Sequence, residues 1–248
     1  MAMSRISDWL TGRKTPEPHE DGPADGGDPY GILSARLGDY PPDPPRHCGD
    51  PRTLTAAQRA ENLADFLAHD AKRIAILAAW LAREGFDATA LFVSGDAARA
   101  EGKRIDDWLA RWVPQRPLDM VRGDAEVNPP LARWFASDRA GADLVFSFVS
   151  DLGRLNAAAI VAADPLFRWT IVEDDLDAAI TGDRAAQPSD RRYHLCLVRD
   201  AFDGSVPVVL DLPLALLGLV HGRMSPLGVP VVARFPLWLS SMETGTAA

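Results

Sequence analysis

The side chains best suited to chemistry are the carboxylates Glu173-Asp174-Asp175, which close one strand-like segment, and Asp200 and Asp203, which follow the next. Paired carboxylates at a strand end can hold Mg²⁺ or divide acid and base work between them. These five residues are the weak catalytic candidates of the chain, and their use depends on strand direction. If the two strand ends meet, the carboxylates converge; if the strands are antiparallel neighbours, the C-terminal ends lie at opposite edges and convergence fails. A nuclease-like site would also want a lysine at hand, and the only lysines are Lys14, Lys72 and Lys103. The competing reading is a solvated loop of carboxylates.

The remaining reactive residues form no motif. The histidines are His19, His47, His69, His194 and His221, with no pair four residues apart and no HExxH. His194 alternates with the apolar face of its segment, so it is expected to meet solvent or a polar partner. Cys48 and Cys196 are far apart and have no CxxC or Cys/His metal spacing, which points to a reducing cytoplasm; Cys196 reads as a buried, inert thiol. There is no G-x-S-x-G, and Phe92-Val-Ser-Gly-Asp96 lacks the glycine spacing and lysine of a P-loop. The sequence therefore assigns no metal-binding or cofactor-binding residue and calls for no cofactor.

The elements that would position these groups are legible from periodicity. Thr55-Ala-Ala-Gln58 has the form of a capping box, and Leu63, Phe66, Leu67, Ile74, Leu77 and Leu81 follow at helical spacing up to Gly85, with a break conceivable near His69-Asp70. Ala88 to Ser94 is open between strand and helix. Ile105, Trp108, Leu109, Trp112 and Val113 predict a short helix ended by Pro114, and prolines bracket an irregular connection through Pro130. Val145, Phe148, Val149, Leu152, Leu155, Ala159 and Ile160 favour one helix over 142–163 by their unbroken period, against a competing strand reading of Leu144 to Val149, whose Val and Phe suit strands. After Pro165 the period becomes two: Phe167 to Val172 and Tyr193 to Arg199 read as strands, Phe202 to Ser205 as a hairpin turn, and Val206 to Leu210 as the returning strand. Leu214 to Val220 reads as a short helix and Val229 to Phe235 as an edge strand. Helices first and strands later predict an α+β fold, with a helical N-terminal half packed on a small, mainly antiparallel C-terminal sheet.

Residues 1–52 read as a disordered tail rich in Pro, Gly and Asp, with a docking turn at most near Gly31 to Leu37; 53–240 read as a single globular domain, and 241–248 as a second tail. The apolar run from Val206 to Leu239 is broken by Asp211, Arg223, Arg234 and five prolines, so buried core is expected there and not a membrane span. A net charge of −9 argues against general binding of nucleic acid or anionic lipid, which draws on Lys and Arg. Tryptophans 80, 108, 112, 134, 169 and 238 read as core first and as a protein-binding surface second.

Asp151-Leu-Gly-Arg-Leu-Asn-Ala-Ala-Ala-Ile-Val followed by Phe167-Arg-Trp-Thr-Ile-Val resembles small bacterial accessory and immunity-type proteins, in which a D-L-G helix precedes a strand carrying a tryptophan. Asn156 and Ala157 stand where that pattern has a Gly-Glu pair. The resemblance implies action by binding another protein, and an origin on plasmids or other mobile elements. The expectation is thus a cytoplasmic, non-enzymatic accessory, inhibitor or immunity factor of a plasmid, conjugation, secretion or toxin system, acting on a protein partner. The alternatives are the metal-dependent hydrolase or nuclease above, and a small-molecule binder with an internal cavity.

Overall fold

A computed structural model describes residues 29–92, 96–111, 129–173, 193–200, 208–213 and 217. Helices α1 (Pro29–Leu37), α2 (Ala56–Arg83), α3 (Asp96–Ala110), α4 (Pro129–Ala136) and α5 (Leu144–Ala163) precede strands β1 (Phe167–Ile171), β2 (Leu195–Arg199) and β3 (Val208–Leu210). The strands form one antiparallel sheet in the order β1-β2-β3, so the chain is α+β with helices and strands segregated as the sequence predicts.

Helix α5 is the axis of the molecule. Sixteen residues from Leu144 to Ile160 are buried, polar ones included. One side packs on α1 and α2, where Tyr40, Trp80, Trp108 and Phe148 meet edge-on or tilted at 5.1–6.3 Å between ring centres. The C-terminal end packs on the sheet through Ala157, Ile160, Phe167, Leu197 and Leu212. Gly153 allows a close approach there: a Cβ on it would lie 3.4 Å from Pro213 Cγ. By length and hydropathy, Gly141–Ala163 resembles a bilayer-spanning helix, yet 89% of its most apolar window is buried inside this fold.

Helix α2 begins as its sequence dictates. The Thr55 hydroxyl accepts from Gln58 N at 3.2 Å, and Thr55 N donates to Gln58 Oε1 at 2.9 Å, so both halves of the capping box are present. It runs unbroken through His69-Asp70 and ends before Gly85, whose φ of +83° lets the chain reverse. Ala88–Phe92 is a 3-10 helix. Helix α3 starts at Asp96 and not at Ile105, because only its second half carries the apolar stripe. The expected irregular connection ends early as well: Pro129 and Pro130 open α4, where a missing N–H costs nothing.

The tail expected over 1–52 is too long. Helix α1 lies within it, and Tyr30, Leu33, Leu37 and Tyr40 are core residues, Leu33 fully buried. Averaged composition hides a short amphipathic segment inside a polar run. Nine residues cannot hold a helix alone in water; docking supplies the stability. Ser34 Oγ donates to Ala142 O at 2.7 Å and accepts from Val145 N at 2.9 Å, while Gly38, at φ +63°, ends the helix. The segments 1–28, 202–205, 214–216, 218–220, 229–235 and 241–248, with Trp112, Trp238, His19 and His221, lie outside the described residues.

Candidate functional site

The acidic candidates do not converge. In the sheet Ile171 pairs with Leu195 and Phe167 with Arg199. The ladder continues past β1, with Tyr193 N donating to Val172 O and Val172 N to His194 O. Glu173 therefore sits beside the start of β2, and Asp200 at its far end. At ~3.3 Å per residue the two lie about 20 Å apart. Asp200 instead receives two hydrogen bonds from Arg168, at 2.5 and 3.0 Å, which hold its carboxyl below the usual range. Asp174, Asp175 and Asp203 lie outside the described residues. Among the described residues, no group of three or more His, Cys, Asp or Glu is placed to hold a metal.

Two other sites emerge, joined by Asp43 and Arg154. The first is a closed ionic cluster on α5. Arg73 of α2 grips Asp151 with Nε at 3.0–3.1 Å and Nη2 at 2.5 Å, and also donates to the carbonyls of Pro41 and Pro42. Burial opposes the charge on Arg73, but the hydrogen bond and charge of Asp151 outweigh it and hold the guanidinium above its ordinary range. The Tyr40 hydroxyl donates to Asp151 Oδ2 at 2.5 Å; burial, then the Asp151 charge, push it above its usual range, so it stays a donor. Arg154, one turn on from Asp151, donates to Asp43 Oδ2 at 2.9 Å and Phe66 O at 2.5 Å, with its guanidinium 3.5 Å from the centre of the Phe66 ring.

The second site is a cleft of about 140 Å³ between the proline-rich segment 41–51, the start of α2, the end of α4 and the edge of the sheet. Its walls include Arg59, Trp134, Phe135, Arg139, Tyr193 and His194. Arg59 lies over the Tyr193 ring at 4.0 Å and Arg139 over the Trp134 ring at 4.5 Å. His194 meets the polar partner expected of it, Asp211 at 2.7 Å, and is covered by Phe135. Cys196, next along the strand but one, is buried as expected.

Two features set this cleft apart. Arg139 and Tyr193, at φ +57° and +67°, are the only non-glycine residues with positive φ among those described, and both line it. The left-handed region costs an ordinary residue roughly 1–2 kcal/mol, and such outliers concentrate at binding sites. The other feature is charge. Each carboxylate in the wall has a base: Asp43 has Arg154, Asp65 has His69, Asp211 has His194. Arg59 and Arg139 have no carboxylate within ion-pair distance among the described residues. Their side chains donate only from Nη1 to backbone carbonyls, those of Pro51 and Leu54 for Arg59 and that of Asp43 for Arg139. The Nε of each is buried and without a partner. Burial pulls the Arg139 guanidinium down to about 10, with the Asp43 carboxylate offsetting part of the effect.

Sequence reading missed this site. Arg59 and Arg139 share no motif or spacing, and the two strained conformations come from tertiary packing. The only trace was His194 on the polar face of its strand. The chain matches no protein-family model, no curated protein and no solved structure.

Proposed function

We propose that the protein is a non-enzymatic binding factor that takes up a protein partner at the Arg59–Arg139 cleft, as an inhibitor, immunity or accessory protein. The observation that carries this reading is the make-up and size of the cleft. Trp, Tyr and Arg are the residues that dominate the energetics of protein interfaces, and Trp134, Tyr193, Arg59 and Arg139 share this wall. Pockets for whole small-molecule ligands are typically ~300–1,000 Å³. A cleft of about 140 Å³ suits one anchoring side chain. The strained conformations of Arg139 and Tyr193 hold the anchoring residues in place before the partner arrives, which lowers the ordering cost of association. The resemblance of residues 151–172 to accessory and immunity-type proteins agrees with this role and with a mobile-element origin, and two cysteines far apart without metal spacing suit a cytoplasmic setting.

Photo-crosslinking in the native host tests it. With p-benzoylphenylalanine in place of Pro44, on the cleft rim, one discrete protein adduct is expected; in place of Arg99, on exposed α3, none. Equal adducts from both positions, or none from Pro44, would refute the assignment.

A further inference from the structure

We infer that the anchor received by the cleft is a carboxylate, carried by a glutamate or aspartate side chain of the protein partner and bound between Arg59 and Arg139. This rests on the partner-docking reading above and names its chemistry.

The argument is one of charge complementarity. Guanidinium forks match carboxylates in shape and charge. Among the described residues the buried arginines are matched internally, Arg73 by Asp151 and Arg154 by Asp43. In the cleft Asp43 is paired with Arg154, Asp65 faces His69 and Asp211 faces His194, and among the described residues none of the three lies within ion-pair distance of Arg59 or Arg139, which line the same cleft. Each lies over an aromatic ring, Arg59 over Tyr193 at 4.0 Å and Arg139 over Trp134 at 4.5 Å. A cation over a ring face uses none of its N–H donors for that contact; with Nη1 given to backbone carbonyls, the Nη2 of each arginine has no acceptor among the described residues and is not buried. Size restricts the acceptor. A dry cavity of ~150 Å³ holds a molecule the size of benzene, so the cleft, at about 140 Å³, has room for a carboxylate and its short alkyl stem and is smaller than the ~300–1,000 Å³ typical of pockets that enclose whole ligands. The apolar wall of Leu63, Leu131 and Phe135 suits such a stem.

The test uses the full chain and three probes: N-acetylglutamate N-methylamide, its glutamine analogue, and acetate. Binding is read from the arginine Nε–H resonances in ¹⁵N NMR spectra. Saturable shifts at Arg59 and Arg139 are expected with the glutamyl probe, at least tenfold tighter than with the neutral glutaminyl probe. Arg59→Gln and Arg139→Gln should each weaken the glutamyl probe at least tenfold, with unchanged far-UV circular dichroism. The glutamyl–glutaminyl contrast in the unaltered protein keeps the test valid if a variant misfolds. Equal binding of the two amides, or no shift with either, overturns the inference. Acetate binding more tightly than the glutamyl probe overturns the side-chain occupant in favour of a free organic acid. A discrete Pro44 adduct without glutamyl preference refutes the carboxylate alone; glutamyl preference without that adduct refutes partner docking alone.

Discussion

The ionic cluster on α5 and the neighbouring cleft use the same side chains to opposite ends. In the cluster, Arg73, Tyr40 and Asp151 satisfy one another, and carbonyls of 41 and 42 take what remains. In the cleft, Arg59 and Arg139 lie over Tyr193 and Trp134 with no carboxylate within ion-pair distance among the described residues. The difference separates charge that fastens the fold from charge held for something outside it. Asp43 and Arg154 belong to both, so the binding wall is built directly onto the fastening.

Removing Asp151 is the most forceful way to break this comparison. Asp151→Ala strands a buried Arg73 and leaves the Tyr40 hydroxyl without an acceptor, and loss of one partner of a buried pair costs about 3–5 kcal/mol. Urea denaturation should show a loss of that size; a near-neutral result would mean the cluster does not fasten the fold. Next in size is Leu33→Ala. A fully buried leucine truncated to alanine costs about 2–5 kcal/mol, and this one pins α1, hence the segment bearing Tyr40 and Asp43. Stability should fall, and protection of α1 amides from hydrogen exchange should fall further than that of α5 amides.

Arg139→Gly sharpens the contrast from the other side. It relieves a left-handed residue and removes a half-buried cation, against the backbone freedom glycine gains on unfolding, ~0.5–1 kcal/mol. Stability should be unchanged or higher by up to about 1 kcal/mol, while binding of the glutamyl probe disappears. The same melt and titration performed on Asp151→Ala should give the reverse ranking. The smallest effect belongs to the exposed Arg168–Asp200 pair, outside both regions. Because Asp200 is held below its usual value, its contribution is present above the unfolded carboxylate value, near ~3.9, and is lost as pH falls through the lowered folded value. Arg168→Gln should return Asp200 to ordinary titration in carboxyl ¹³C NMR, with little change in the melting temperature at neutral pH.

Local signals explain which parts of the fold were legible. The capping box at Thr55, the unbroken stripe of α5 and the strand-like residues of β1 and β2 are written in adjacent residues, and the structure has a helix or strand at each, although β2 buries Cys196, Leu197 and Val198 on both faces. Helix α1 shows in the sequence only as a docking turn near Gly31 to Leu37, because its hold is non-local: three apolar residues and a serine that mean little until α5 is beside them. The cleft escapes for the same reason, since Arg59, Arg139 and Tyr193 meet only in three dimensions. The acidic cluster drew attention because its residues are neighbours in sequence, but antiparallel pairing sends Glu173 and Asp200 to opposite ends.

The docking of α1 also carries a consequence for synthesis on the ribosome. Ser34, Tyr40 and Asp43 find their partners 104 to 111 residues downstream, on and just before α5. At ~5–20 residues per second, the emerging N-terminal segment waits on the order of 5–20 s before α5 is made. For that interval Tyr30, Leu33 and Leu37 are an exposed apolar hook on a nascent chain, within reach of a chaperone or of a second nascent chain. The polar residues in and beside it, Ser34, Arg36 and Asp39, are then what keeps the hook soluble until its groove arrives.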